Sequence, residues 1–374
     1  MWATSYLRRL YSNFAAHVFD IPPRFMVFLL FLILLCIPIT GVIPNYYFSI
    51  FIRANILAIF AMSWDLLVGR TGQISLGHAL FFGIGAYGTG LLFTSFGLPI
   101  WITIPMTLLI GSSVALLISV PCLRVKGPYL ALVTMTFPLI LWRMVKWSPL
   151  ASIFGGENGI TGLPSFFPFL RITQLRMAEY YLTLFLILLC SIILYKIANS
   201  KTGIVFLSIL DNEVASKACG INVTRYKIMS FIISGVFATM AGCMQAHLMQ
   251  RSASPSMLEL TYSFIPIIIT FLGGIGTIYG PIVGAYIYVI LDRYFLTDLL
   301  PKLLRDNFQV TLPREFEAFG TWLVFALIVL ILVIKWPRGV ARFATDKLED
   351  LEEARDLDER GPRIWKRYKK KKNE

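Results

Sequence analysis

The chain has 374 residues, 57% of them apolar and only 15% charged, which is too apolar a balance for a soluble globular protein of this length. Its net charge of +13 would suit a nucleic-acid binder, but many of the basic residues sit in short loops and in the tail, so lipid rather than nucleic acid is the expected partner. Of five cysteines, Cys36, Cys122, Cys190 and Cys243 lie in apolar runs and Cys219 in a basic loop, a pattern that supports neither a disulfide framework nor a metal site.

The apolar runs last roughly 17 to 25 residues without period-two alternation, which predicts helices rather than barrel strands. The expected fold class is an all-α integral membrane protein with about ten transmembrane helices and both termini cytoplasmic. In chain order the spans are expected at 25–43, 48–68, 76–96, 100–120, 129–147, 180–198, 226–248, 262–277, 282–295 and 321–334. The first run begins at Phe25 and lacks a small-residue cleavage pattern, so it is read as a retained span after a cytoplasmic leader, 1–24. A transmembrane domain covers 25–336, and a charged cytoplasmic tail covers 337–374. With the amino terminus inside, the inner loops carry Arg8, Arg9, Arg24, Arg70, Arg124, Lys126, Lys196, Lys201, Lys217, Arg225 and Lys227, and the outer loops carry fewer basic residues. That excess follows the preference of positive residues for the cytoplasmic side and requires an even number of spans.

Two stretches interrupt this pattern with glycine. Gly69 to Gly90 contains seven glycines among apolar residues, and Leu272 to Tyr286 (LGGIGTIYGPIVGAY) is similar. Glycine permits close helix contact and also lets the chain leave helical geometry, so each stretch reads either as a packing seam or as a broken helix lining a cavity. Gln73, Ser75 and His78 favour a cavity for the first stretch. The candidate substrate pathway is therefore Gly72, Gln73, Ser75, Gly77 and His78, with Gly273, Gly274 and Gly276 from the second stretch.

The phosphate-cradling pattern GxxxxGK[ST] is absent, so any ATP hydrolysis belongs to another subunit, and no HExxH, GxSxG or Cys/His cluster suggests an enzyme. The ionisable residues of the spans have local explanations: Arg53 snorkels towards the outer surface, Asp65 pairs with Arg70, and Asp292 neighbours Arg293. A lone histidine such as His78 is more often a packed, hydrogen-bonded residue than a base.

Between the sixth and seventh spans, SKTGIVFLSILDNEVASKACGINVTRYK is long for a connection between neighbouring helices. It predicts a short helix capped by Asp211 or Asn212, with Glu213 at its positive end, Ala215, Lys217 and Ala218 propagating it, and Gly220 ending it in the left-handed conformation. Ile221 is expected to cover its last turn and Thr224 to cap the next span. Such a helix suits either a partner's groove or the headgroup layer of a membrane.

EVASKACGINVTRYK resembles the coupling loop of bacterial importer permeases, in which a Glu-Ala-Ala motif and a later glycine dock on an ATP-binding subunit. The matching positions are Glu213, Ala215 and Gly220, with Val214 where that family often has a small residue. GQISLGHALFFGIGAY, RVKGPYLALVTMTF (Arg124 to Phe137), GGENGITGLP (Gly155 to Pro164), LGGIGTIYGPIVGA (Leu272 to Ala285) and WPRGV (Trp336 to Val340) resemble, in order, the branched-chain amino acid permease family of the LivM type, to which urea and amide permeases are related. The resemblance implies a permease subunit in a bacterial cytoplasmic membrane, with coupling loop 199–225. Its implied partners are a second, related permease, two ATP-binding subunits that use ATP and Mg, and a soluble substrate-binding protein. This chain itself would bind no cofactor or metal. Branched-chain or related amino acids are the implied cargo, urea or short amides and an ion-coupled secondary carrier being the alternatives. The segment 155–164 is expected outside, as a gate, a dock or a plain connector, and the tail is read as a solvated end or as a lipid-touching basic terminus.

Overall fold

A helix apolar around its whole circumference has to be surrounded by others, and one such helix organises this protein. The computed structural model describes residues 45–125 and 127–293, together with 327, 330, 331 and 334. The leader, the expected span 25–43, the tail and all but those four helical residues of 321–334 lie outside the described residues. Helix α1, Asn45–Thr71, is the hub, packed by helices that the chain supplies from residue 172 onward. Next come α2 His78–Phe96, α3 Ile100–Cys122, α4 Pro128–Lys146 and the short α5 Ala151–Phe154. After these follow α6 Ile172–Ala198, α7 Lys201–Asp211, α8 Glu213–Ala218 and α9 Val223–Met244, which continues as a π-helical turn, Gln245–Gln250. A shorter pair, α10 Leu260–Gly273 and α11 Gly280–Ile290, closes the described region. Among the described residues, six helices are long and apolar enough to cross a membrane.

Because lipid offers no hydrogen bonds, the polar side chains inside α1 must find protein partners. Asn55 donates to Thr183 Oγ1 of α6 at 3.2 Å and accepts from the Tyr286 hydroxyl of α11. Arg53 does not snorkel alone: it forms a 3.0 Å ion pair with Asp292, just beyond α11, so the expected local reading of both residues is corrected by a contact remote in sequence.

The glycine-rich stretch 69–90 divides into two uses. The chain leaves the helix between Thr71 and His78, where Gly72 has φ of 68°, but from His78 onward α2 is an unbroken helix. There the glycines form a seam. A Cβ on Gly85 would lie 2.1 Å from the Thr239 carbonyl oxygen of α9, and one on Gly242 would lie 1.9 Å from the carbonyl oxygen of Phe82. Helices in lipid gain little from hydrophobic association, so this backbone-to-backbone approach supplies the packing. Large apolar side chains on α3 and α4, Trp101, Leu109, Leu117, Tyr129 and Leu132 among them, remain exposed, as suits a surface solvated by acyl chains.

The two ends of the bundle are distinct. At one end, Leu210 of α7 lies against Gly72 and Gln73 reaches the start of α9. At the other, β1 (Ile160–Thr161) pairs antiparallel with β2 (Ser252–Ala253), with Ile160 opposite Ala253 and Thr161 opposite Ser252. Gly159 has φ of 68°, and a Cβ there would strike the Ala253 carbonyl, so a glycine at 159 is what allows the strands to meet.

Candidate functional site: an interhelical hairpin tied to a broken span

The expected loop between α6 and α9 contains two helices rather than one. Its first, α7, buries Phe206 and Ile209, and Phe206 meets Tyr226 of α9 edge-on. Its second, α8, is held at both ends by local chemistry. Asn212 Oδ1 accepts from the amides of Val214 and Ala215, each at 3.0 Å. Gly220, with φ of 82°, lets its own amide reach the Lys217 carbonyl and that of Ile221 reach the Ser216 carbonyl, a Schellman closure. The cap of α9 is Asn222, whose side chain accepts from the Arg225 amide at 3.1 Å, and not Thr224 as expected. An asparagine side chain reaches the N3 amide from that position, which leaves Thr224 inside the helix.

Buried Ser216 donates to the Ser208 carbonyl of α7 at 2.8 Å, which turns Val214, Ala215, Lys217 and Ala218 outward. Val214 is 77% exposed, an apolar side chain at the centre of a helix face without a partner among the described residues. Glu213 is half-buried at the edge of that face. Its two carboxylate oxygens receive Lys217 Nζ and Lys227 Nζ, each at 2.8 Å, so it joins α8 to α9. Hydrogen bonds from Lys217 and then Lys227 hold this carboxyl well below the usual range, at about 2.

Below that pair lies the break between α1 and α2. Gln73 Nε2 donates to Ser230 Oγ at 2.8 Å and Thr71 Oγ1 at 3.0 Å, and approaches the Lys227 carbonyl at 3.5 Å, all within reach of α9. Ser75 is spent on the local turn: its Oγ accepts from the Gly77 amide at 3.2 Å and its carbonyl from Trp64 Nε1 at 2.9 Å. Gly77 packs on α4, where a Cβ would come 2.5 Å from the Thr134 carbonyl. His78 Nε2 lies 2.8 Å from Ser234 Oγ, whose own proton goes to the Ser63 carbonyl at 2.7 Å. Ser234 therefore accepts from Nε2–H, and Nδ1, buried, has no partner among the described residues.

The second glycine stretch opens the chain between α10 and α11, where Gly274 and Gly276 take positive φ and Gly273 packs so tightly that a Cβ would strike the Gly280 carbonyl. Asp65 of α1 reaches this break, accepting from the amides of Gly276 at 2.6 Å and Ile278 at 3.1 Å. Its hydrogen bonds thus go to a loop more than 200 residues away, while the expected neighbour Arg70 acts on it only through charge. Two amides fixed by the loop offer a buried carboxylate more hydrogen bonding than one flexible guanidinium near a helix end. Gly276 also touches Gly69, so the two breaks flank the same turn of α1.

Sequence reasoning missed Ser230, Ser234 and Lys227. The signal for them is a stripe of polar residues at i, i+3 and i+7 on an otherwise apolar span. At the opposite end it also missed Glu179, buried between Arg176 at 3.0 Å, Ser165 at 3.2 Å and Arg251 at 3.7 Å. Arg176 additionally donates to the Leu248 carbonyl, and His247 bridges Thr89 and the Pro164 carbonyl, so the segment 155–164 is anchored to α2 and to the turn that continues α9.

Long apolar helices, interior glycine breaks and a capped interhelical hairpin are the features of a multi-span membrane protein with interrupted helices. Comparison with known proteins gives the family: residues 46–334 match the branched-chain amino acid transport system permease component, and the chain belongs to that family. It is 26% identical over 317 residues to the high-affinity branched-chain amino acid transport system permease protein LivM of Salmonella typhimurium, covering 79% of this chain and 69% of that protein. A probable LivM of Methanocaldococcus jannaschii is 21% identical, covering 75% of this chain and 77% of the relative. The autoinducer 2 import system permease protein LsrC of an Enterobacter strain is 25% identical, covering 69% and 73%. No solved structure matches the chain significantly.

Proposed function

We propose that this chain is one membrane half of an ATP-driven importer for branched-chain or related amino acids, with a second, related permease completing the pathway. The observation that carries the reading is α8, a helix capped at both ends that stands outside the spans, keeps an apolar face free and is tied by Glu213 to α9. In this reading loop 199–225 lies in the cytoplasm, within a ten-span domain of 25–336 whose termini both face inward. Glu213, Val214, Ala215 and Gly220 meet one of two ATP-binding subunits, which use ATP and Mg, and a soluble binding protein delivers cargo at the opposite face. Gly72, Gln73, Ser75, Gly77 and His78, with Gly273, Gly274 and Gly276, form the moving wall of the pathway. The work is conformational: closure of the ATP-binding pair displaces α8, and the breaks allow the wall to reopen on the other side. The relative named for autoinducer 2 supports a wider cargo class on the same scaffold.

The test is mild-detergent purification of the full complex expressed from its own operon, with mass spectrometry of what accompanies the chain. A second permease and ATP-binding subunits are expected. Glu213→Ala and Gly220→Pro are expected to retain the chain in the membrane while uncoupling ATP hydrolysis from uptake of labelled leucine. A chain that purifies alone and supports ion-driven flux in liposomes would point to a secondary carrier instead.

A further inference from the structure

Lys227, Ser230 and Ser234 occupy one face of α9, and each is tied to a different element. The Lys227 ammonium holds Glu213 of α8 at 2.8 Å, and the Lys227 carbonyl accepts from Ser230 Oγ at 2.8 Å. Ser230 Oγ in turn accepts from Gln73 at 2.8 Å and lies 3.4 Å from Thr71 Oγ1. One turn further on, Ser234 Oγ accepts from His78 Nε2–H and donates to the Ser63 carbonyl of α1. Ser230 and Ser234 are fully buried and the Lys227 side chain is 17% exposed, so most of this line of contacts lies out of reach of any partner. In a dry interior each broken hydrogen bond leaves an unpaired polar group, so such a line has discrete arrangements and moves as a unit rather than stretching.

We infer that Lys227 is a positioning residue, and that the Lys227–Ser230–Ser234 face of α9 carries the displacement of α8 to the break between α1 and α2. The inference rests on the importer reading and goes beyond it: that reading needs α8 to touch an ATPase, whereas this one says which buried side chains carry the movement inward. Glu213 then has two duties, meeting the partner and gripping Lys227. Lys227 extends its ammonium to α8 and its carbonyl region to Gln73, so one residue bridges both ends of the transfer.

The experiment measures ATP hydrolysis and substrate uptake together, in proteoliposomes carrying the purified full complex, for Lys227→Met, Lys227→Arg, Ser230→Ala and the Glu213→Ala/Lys227→Met pair. Lys227→Met and Ser230→Ala are expected to keep their ATP-binding subunits and hydrolyse ATP while moving about three- to ten-fold less substrate per ATP. Lys227→Arg restores most of the ratio because it keeps the grip on Glu213. The double variant should be no worse than Glu213→Ala alone, since both remove one link. An unchanged ratio in both Lys227→Met and Ser230→Ala overturns the inference, as does loss of the ATP-binding subunits from Lys227→Met, which would make Lys227 a docking residue. A wild-type complex that contains no ATP-binding subunit overturns the importer reading itself, and is recognised before any variant is compared.

Discussion

Alanine placed at two glycines of the same helix is expected to move stability in opposite directions. At Gly85 the new Cβ would lie 2.1 Å from the Thr239 carbonyl oxygen and 2.9 Å from the Cys243 amide nitrogen, about 1.3 Å inside the 3.4 Å at which ordinary contact begins. Neither obstacle is a side chain that can rotate away, and α9 is held against α2 a second time where Gly242 meets Phe82. Relief requires the helices to separate, placing the strain near the upper end of overpacking, about 3 kcal/mol, against a gain of about 1 kcal/mol from the better helix propensity of alanine. Gly85→Ala should therefore destabilise by about 2 kcal/mol. At Gly90, five residues along, the Cβ would meet Ile160 and Ala253 side chains at 3.5 Å and 3.6 Å, which is ordinary contact. Gly90→Ala should keep the propensity gain, about 1 kcal/mol. Thermal unfolding of the purified chain in one detergent, followed by circular dichroism, compares the two. The reasoning is refuted if Gly85→Ala is as stable as wild type, or if Gly90→Ala loses as much as Gly85→Ala.

Two further outcomes concern α8. Asn212→Ala removes the acceptor for the Val214 and Ala215 amides, and a six-residue helix has little else to close its first turn. Loss of such a cap costs about 1 kcal/mol, so hydrogen exchange across 213–218 should quicken roughly five-fold while exchange within α9 is unchanged. The Glu213 carboxyl is depressed to about 2 from an ordinary 4.5, so its contribution is fully present above about pH 4.5 and declines as pH falls towards 2. The extra protection of α8 in wild type over Glu213→Gln, corrected for intrinsic exchange rates, should thus be constant from about pH 6 to 8 and shrink below about pH 4.5. A difference that disappeared at pH 6 would mean that the ion pairs with Lys217 and Lys227 do not hold in solution.

Much of this architecture was legible without coordinates because its governing quantity, apolar run length, is local. The expected spans at 48–68, 100–120 and 129–147 fall on α1, α3 and α4 within a few residues. The cap chemistry of α8 was equally legible, since Asn212 and Gly220 act on amides and carbonyls within a few residues of themselves. Glycine was ambiguous, because one residue type serves both a helix break at Gly72 and a close crossing at Gly85, and only the neighbouring backbone separates the two. Helix α7 was read as loop because its apolar residues follow a long span closely, and what orders them is Tyr226 and Gly72, contributed by other elements.

By itself the sequence determined the membrane class, the helical class, the positions of the longer apolar helices among the described residues and the family, since each follows from composition, run length or ordered motifs along one dimension. Tertiary structure decided which polar groups meet. Asp65 has Arg70 five residues away and yet caps the loop at Gly276 and Ile278, Arg53 finds Asp292, and Gln73 and His78 find Ser230 and Ser234. The physical reason is that a buried polar group in lipid has to be satisfied by whatever donor or acceptor the packing brings to it, and that neighbour is set by helix arrangement rather than by distance along the chain.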